Sequence, residues 1–138
     1  MKDGYGIEYH ISGAKYQGYW KNDVYHGYGI LVHENGDIYD GDFRQGMASG
    51  YGILTEISGT KYDGNWDNNL RNGLGKETLA DGSTYEGDFE LGKKNGKGSF
   101  RGADGSRYNG QWKDDIIHGN GKFVWPDGNQ YEGQWQES

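Results

Sequence analysis

Residues 62–75 read YDGNWDNNLRNGLG, and the pattern of this segment indicates the fold. Tyr62, Gly64 and Trp66 occupy alternate positions, a polar segment follows, and two glycines then return at alternate positions. Alternation with a period of two is typical of a β-strand, because successive side chains of a strand point to opposite faces of a sheet. The stretch therefore predicts two strands joined by a tight turn.

Nearly the same sequence pattern recurs six times at a spacing of 23 residues. The tyrosine that opens each copy is Tyr16, Tyr39, Tyr62, Tyr85, Tyr108 or Tyr131. The aromatic residue four positions later is Trp20, Phe43, Trp66, Phe89, Trp112 or Trp135. Four positions of the repeat hold 24 of the 27 glycines, so the glycine enrichment belongs to the architecture. A period of this length indicates a repeat protein.

Each copy predicts two strands and two turns. After the second aromatic residue come Asp23, Gly46, Asn69, Gly92 and Asp115, which are residue types that tolerate the positive φ of a hairpin turn. The second strand of each copy ends near Asn-Gly or Asp-Gly, another turn signal. The expected fold is all-β: an elongated, twisted, single-layer antiparallel meander of about twelve short strands. Helices are not expected at this glycine density.

Glycines and aromatic rings occupy the same predicted face. Glycine leaves open space on a sheet and permits bulges, so large rings can lie over it. We expect the aromatic face to fold inward as a concave groove. In one interpretation every ring is structural. In the other, the ladder is also the floor of a protein-binding groove, formed by Tyr16, Trp20, Tyr39, Phe43, Tyr62, Trp66, Tyr85, Phe89, Tyr108, Trp112, Tyr131 and Trp135.

Composition excludes several classes of function. The 138 residues include no cysteine, which rules out disulfides and thiolate metal sites and favours an intracellular location. No apolar run approaches the ~18 residues of a membrane-spanning helix. The net charge is −7, so a nucleic-acid partner is not expected.

No arrangement of residues predicts catalysis, a metal site or a cofactor. His26 and His118 lie four repeats apart, and His10 and His33 occupy adjacent repeats, too far apart for joint metal ligation. The Gly-x-Gly pairs lack the following helix of a dinucleotide-binding fold. The segment GKKNGKG (92–98) lacks the ending of a phosphate loop. We therefore predict that the chain is not an enzyme.

The repeat resembles the MORN repeat (membrane occupation and recognition nexus). The segment YEGDFELGKKNGKGSFRGADGS (85–106) is close to the usual sequence of that family. The similarity covers residues 1–138, read as one MORN-repeat array and as a piece of a longer array or protein. Asp23, Asn69 and Asp115 replace the usual turn glycine, and Ser12 and Ser58 stand where Asp or Asn is typical.

The resemblance implies a scaffold that holds a helical or extended segment of a partner protein in its groove. Family members occur in cilia, in cytoskeletons, at membrane junctions and beside lipid-kinase domains, and some self-associate. The expected location is therefore the cytoplasm, cytoskeleton or a cilium. Two alternatives stay open: a membrane tether that binds anionic phospholipid, and an accessory domain of an enzyme that lies outside this chain.

The repeats differ most on the outward face of the second strand. The first three copies carry an apolar stripe, which is either a second contact face or a set of pairs that stiffen the sheet: Tyr5, Ile7, Tyr28, Ile30, Tyr51 and Ile53. The last three copies carry a basic stripe, the candidate lipid-binding site: Lys76, Lys93, Lys94, Lys97, Arg101 and Lys122. Nearby Glu86, Asp88 and Glu90 could neutralise it.

Overall fold

The structure is a computed structural model that describes residues 1–136. Twelve strands lie side by side in chain order in one open antiparallel sheet. Their bounds are β1 Gly4–Tyr9, β2 Lys15–Lys21, β3 Val24–Val32, β4 Ile38–Arg44, β5 Met47–Thr55, β6 Lys61–Asp67, β7 Leu70–Thr78, β8 Thr84–Glu90, β9 Lys93–Arg101, β10 Arg107–Lys113, β11 Ile116–Val124 and β12 Gln130–Trp135. The predicted all-β meander is confirmed, whereas the elongated shape and the concave groove stay predictions.

The chain divides into two compact units, which we call unit 1 (Met1–Leu70) and unit 2 (Arg71–Ser138). In unit 1, Tyr16 lies opposite Leu31 and Gly18 lies opposite Gly29. In unit 2, Tyr85 lies opposite Phe100 in the same way. We call the side that carries these tyrosines and glycines the aromatic face, and the other side the opposite face.

The turn inside each hairpin has two residues, both with positive φ. Asn22 and Asp23 have φ values of 50° and 69°, and Leu91 and Gly92 have 49° and 83°. Two left-handed residues in a two-residue loop define a type I′ turn, whose twist matches that of the strands it joins. The turn predicted from Asp, Asn and Gly at the second position is confirmed. The left-handed residue before it was not predicted.

Leu91 offers a direct stability test, because a leucine in the left-handed region is strained and its side chain here is 71% exposed. Leu91→Asn replaces it with a residue that favours this conformation and removes little buried apolar surface. We expect the free energy of unfolding to rise by about 1 kcal/mol. Urea denaturation measures it, with Leu74→Asn, at an exposed strand position, as the control. A lower stability for Leu91→Asn would contradict the expectation.

The turns between repeats use a side chain as a hydrogen-bond acceptor. In four copies a carboxylate or amide oxygen accepts a bond from the backbone N–H two residues later, as Asp81 does from Ser83 at 2.8 Å. Ser12 and Ser58 accept the same bond at 3.4 Å. The two serine copies therefore keep the turn with a longer contact, so these departures from the family pattern do not change the backbone path.

A β-bulge lies in each of the four described hairpins that a two-residue turn closes. Pairing shifts between Gly18 and Trp20, and also between Gly41 and Phe43, Gly87 and Phe89, and Gly110 and Trp112. A bulge leaves a backbone group outside the ladder. The Tyr16 hydroxyl donates to the carbonyl of Tyr19 inside the shifted segment, at 2.7 Å. All six repeat tyrosines make this bond, at 2.7 to 2.9 Å.

The core is a layer of rings that lie on glycines. A Cβ added at Gly29 would overlap the Tyr16 ring, and one at Gly52 would overlap the Tyr39 ring. Each ring also meets the second aromatic residue of its copy edge-on, as Tyr62 and Trp66 do at 5.1 Å between centroids. Edge-to-face packing is a favoured geometry for aromatic pairs. The predicted ring-over-glycine contact is therefore present, and it explains why glycine and tyrosine recur together.

Candidate functional site on the two faces of the sheet

Most of the aromatic residues predicted to form the groove floor are buried in this structure. Tyr16 and Tyr62 are 0% exposed, and Trp66 is 9% exposed. The repeat tyrosines and tryptophans of the first five copies, with Phe43 and Phe89, all belong to the core, whereas Tyr131 is 43% exposed. Their polar atoms are also used internally, since the Trp66 indole donates to the Gly52 carbonyl at 3.0 Å. That these rings themselves contact a partner stays a prediction.

Burial of the tyrosines predicts loss of stability in alkaline solution. Burial raises the pKa of Tyr16 to about 12 from its usual 10.0, and it also raises the pKa values of Tyr39 and Tyr108. The unfolded chain therefore releases these protons at lower pH than the folded chain. Stability is fully present below about pH 10 and falls as the pH rises through about 12.

Urea midpoints measured by tryptophan fluorescence across that interval check this expectation. The Tyr16→Phe variant is the control, because it lacks one of the titrating groups and should show a shallower fall. Midpoints that do not change above pH 10.0 would contradict it.

The rings are covered by a residue that differs in every copy. It lies nine positions after the tyrosine, just after the type I′ turn, and pairs across from the second aromatic residue in the four copies whose register is described. Tyr25 stacks flat on Tyr16, with centroids 3.8 Å apart and an interplanar angle of 8°. Lys94 places its Nζ 5.3 Å from the Tyr85 centroid. We call this set the covering residues: Tyr25, Ala48, Arg71, Lys94 and Ile117.

Sequence reasoning missed the covering residues as a functional set. The available signal was their variation at a strand position that faces an otherwise constant layer of rings and glycines. In unit 1 this position is aromatic or small, and in unit 2 it is cationic or aliphatic. The chemistry that the aromatic face presents to solvent is therefore specific to each copy, although the layer beneath is uniform.

A charged cluster interrupts the aromatic face of unit 2. Glu77 is 7% exposed and pairs with Arg71 and with Lys94, whose Nζ lies 3.3 Å from its carboxylate. In unit 1 the equivalent position holds Leu31 and Leu54, and also Glu8, which pairs with Lys2 at 2.7 Å. A buried carboxylate needs such partners, because an unpaired buried charge is strongly destabilising. Lys94, predicted as a lipid-binding residue, therefore lies on the aromatic face and is engaged in ion pairs.

Two of the four histidines, His10 and His118, lie in different environments. His10 lies 2.7 Å from the Glu8 carboxylate and 3.2 Å from the Tyr25 hydroxyl, and His118 keeps a buried Nδ1 without a partner in the described chain. Across residues 1–136, no group of three His, Cys, Asp or Glu side chains is placed to hold a metal ion.

The opposite face of unit 1 carries exposed apolar side chains. Tyr5, Tyr28 and Tyr51 are 58, 47 and 45% exposed, and Ile7 is 49% exposed. Each tyrosine hydroxyl bonds to a side chain of the next strand: Tyr5 to Gln17, Tyr28 to Asp40 and Tyr51 to Asp63. The predicted apolar stripe is therefore accessible, and its three tyrosines are held in matching orientations. Whether it is a contact face stays a prediction.

The opposite face of unit 2 holds an open cavity of about 670 Å³. Its lining includes four cationic side chains and one carboxylate: Lys76, Arg101, Arg107, Lys122 and Glu86. No ion pair within the described residues involves any of these five groups. Three of the predicted lipid-binding residues thus meet in one place.

Besides Lys94, two of the predicted lipid-binding residues lie outside the cavity, and one cationic residue that lines it was not predicted. Lys97 lines a neighbouring hollow with Lys122, and Lys93 pairs across from Glu90 at the start of β9. Arg107 also lines the cavity. It was not predicted from the sequence, because its position opposite Arg101 depends on the β9–β10 register.

None of the described residues belongs to a helix long and apolar enough to cross a membrane.

Comparison with known proteins identifies a family to which the chain is similar. The curated proteins searched contain no match to this chain. Among solved structures, the chain is similar to the SAS-4 (dCPAP) TCP domain of Drosophila melanogaster, determined in complex with a proline-rich motif of Ana2 (dSTIL). That similarity has 13% sequence identity and a TM-score of 0.45, and it covers 95% of this chain and 90% of the other.

The family model described as MORN repeat matches five consecutive stretches, residues 16–38, 39–60, 62–84, 85–107 and 108–130. Each stretch begins at a repeat tyrosine, and the predicted copy that begins at Tyr131 lies beyond them. MORN repeats are generally modules for interaction with proteins or membranes. Because the matched stretches cover most of the sequence and coincide with the ring-and-glycine units of the sheet, the chain belongs to the MORN-repeat family.

Proposed function

We propose that this chain is a non-catalytic scaffold that binds a segment of a partner protein on its aromatic face. The observation that carries the proposal is the layering of that face. A constant layer of rings and glycines supplies a rigid support, and the covering residues above it differ in every copy. A binding surface needs such a rigid support with specific groups on top.

The covering residues define the chemistry of the partner segment. Tyr25 offers a half-buried ring, which suits an apolar or cationic side chain, because aromatic residues dominate binding hot spots. The Arg71–Glu77–Lys94 cluster offers charged groups further along the chain. A segment bound on unit 1 would therefore present apolar or cationic groups to Tyr25, and a segment bound on unit 2 would present polar or charged groups. Contact with the repeat aromatic rings themselves would require the covering side chains to move.

A place in a cytoskeletal or ciliary assembly is part of this proposal, and membership of the MORN-repeat family supports it. The predicted intracellular location has the same support, together with the absence of cysteine from the sequence.

Site-directed photo-crosslinking in cells of the source organism tests the proposal. A benzophenone amino acid replaces Tyr25 or Lys94 on the aromatic face, and Ile57, 71% exposed at a turn, is the control position. We expect a discrete crosslinked protein from both aromatic-face positions and none from the turn. Equal labelling from all three positions, or none from the aromatic face, would contradict it.

The cavity on the opposite face of unit 2 supports a second candidate function, the binding of anionic phospholipid. Its four cationic side chains have no ion-pair partner among the described residues, so phosphate groups could neutralise them. The net charge of −7 opposes general attraction to an anionic surface, so binding would depend on this local group.

Flotation with vesicles that contain phosphatidylserine tests this second candidate. We expect binding that weakens with added salt and is lost in the Arg101→Gln/Arg107→Gln double variant. Lys93→Gln, outside the cavity, is the control and should bind normally. Flotation that is absent in the wild type, or is equal in both variants, would reject the lipid function and leave the protein-binding proposal unaffected.

A further inference from the structure

The opposite face of unit 1 carries a repeated pairing of a tyrosine with an acid. Tyr28 donates to Asp40 at 2.7 Å, and Tyr51 donates to Asp63. In both cases the acid belongs to the next strand and lies twelve residues further along the chain. An isoleucine lies directly opposite each acid, since Ile30 pairs with Asp40 and Ile53 pairs with Asp63. We call this set the Tyr/Asp band: Tyr28, Ile30, Asp40, Tyr51, Ile53 and Asp63.

The spacing of the two pairs follows from the sheet. Tyr28 lies on β3 and Tyr51 on β5, and β4 lies between them. Two inter-strand steps separate the pairs by about 10 Å. The hydroxyl bonds hold both rings in the same orientation, so the two pairs present one arrangement twice without further ordering of side chains.

The Tyr/Asp band lacks a cationic partner. Asp40 and Asp63 are half-buried, yet no lysine, arginine or histidine nitrogen of the described chain lies within the 4.0 Å limit of an ion pair. The basic residues of that face lie at strand ends: Lys15, Lys21, Arg44 and Lys61. The middle of the face therefore combines exposed aromatic rings with negative charges that nothing in unit 1 neutralises.

An acid beside an exposed ring suits one class of group. A guanidinium or ammonium can lie over the ring and pair with the carboxylate at once, and both interactions strengthen where water is partly excluded. The Tyr28 and Tyr51 hydroxyls keep their protons in this arrangement, because the bonds to Asp40 and Asp63 raise their pKa values. The two carboxylates are then the charged acceptors.

We propose that the Tyr/Asp band is a docking site for a basic amphipathic helix of a partner protein, with two arginine or lysine side chains seven residues apart. Positions i and i+7 of a helix lie about 10.5 Å apart on the same side, which matches the spacing of the pairs. Leucine or another apolar residue between them would pack on Ile30 and Ile53. This site is on the other side of the sheet from the proposed aromatic-face site, so neither depends on the other.

Two labelled synthetic helices test the proposal by fluorescence anisotropy with the full chain. Both have the same composition of alanine, leucine, glutamine and two arginines, with the arginines at i and i+7 in one and at i and i+5 in the other. We expect the first to bind at least about fivefold more tightly, because in the second the arginines lie about 140° apart around the helix and cannot both face the sheet. Equal affinity, or no binding of the first helix, would overturn the proposal.

Protein variants locate the site. Asp40→Asn/Asp63→Asn keeps acceptors for both tyrosine hydroxyls and removes both charges, so affinity for the i/i+7 helix should fall by about tenfold. Glu86→Gln is the matched control, since Glu86 occupies the same repeat position in unit 2 with Leu74 and Lys97 in place of the tyrosines. It should change affinity less than about twofold. Unchanged affinity in the double variant, or an equal loss with Glu86→Gln, would reject the site.

Discussion

Gly52→Ala is expected to destabilise the protein by about 4 kcal/mol, which is a large part of the ~5–15 kcal/mol that holds a typical domain folded. A Cβ at this position would overlap the Tyr39 ring, which is only 3% exposed. The ring cannot turn away without losing its hydroxyl bond to the Asp42 carbonyl, 2.7 Å long. Overpacking contributes about 2 to 3 kcal/mol, and the lost hydrogen bond about 1 kcal/mol more.

The matched control is Gly6→Ala. Gly6 holds the same repeat position as Gly52, but no repeat tyrosine lies over it. A Cβ at Gly6 would meet the Trp20 indole at 3.5 Å, which is an ordinary contact. We expect Gly6→Ala to be neutral or to stabilise by up to about 0.5 kcal/mol, since alanine restricts the unfolded chain. Urea unfolding followed by tryptophan fluorescence compares the two, and equal effects would show that the ring does not require the glycine.

Tyr62→Ala is expected to cost about 3 to 5 kcal/mol. The ring is 0% exposed, packs edge-on against Trp66 and donates from its hydroxyl to the Asn65 carbonyl at 2.8 Å. Tyr62→Phe keeps the ring and leaves that carbonyl without its donor, so it should cost about 1 to 2 kcal/mol. Chemical denaturation of both variants separates the contribution of the ring from that of the hydroxyl.

Tyr131→Ala is the control for the tyrosine series. Tyr131 holds the same repeat position and makes the same bond, to the Gln134 carbonyl at 2.8 Å, but its side chain is 43% exposed. We expect roughly half the cost of Tyr62→Ala, because the apolar area removed from water is about half as large. A cost as large as that of Tyr62→Ala would mean that the hydrogen bond, and not burial of the ring, accounts for the contribution of the tyrosine to stability.

The candidate surfaces could be predicted from the sequence only in part. The exposed stripe of Tyr5, Tyr28 and Tyr51 follows from strand alternation, and the structure places it on the expected side. The pairing of Tyr28 with Asp40 was not predicted, because it joins residues that are diagonal neighbours only in the observed register. Lys94 was grouped with the basic stripe, but it lies an even number of residues before Gly96 and Gly98, so strand alternation itself places it on the aromatic face.

The class of fold follows from the amino-acid sequence. A 23-residue period, alternating Tyr, Gly and Trp, and positive-φ residues at the turns allow few folds other than an antiparallel meander. These signals are local, because they act within a single strand or turn.

Contacts between strands add what alternation along one strand does not specify. The bulges, the tyrosine hydroxyl bonds and the covering residues depend on the register between strands, and a shift of one residue reverses the side on which a side chain lies. Burial of the rings depends on what lies above them, as the stacking of Tyr25 on Tyr16 shows. The candidate surfaces are therefore set by contacts between strands, which the order of residues in one strand does not specify.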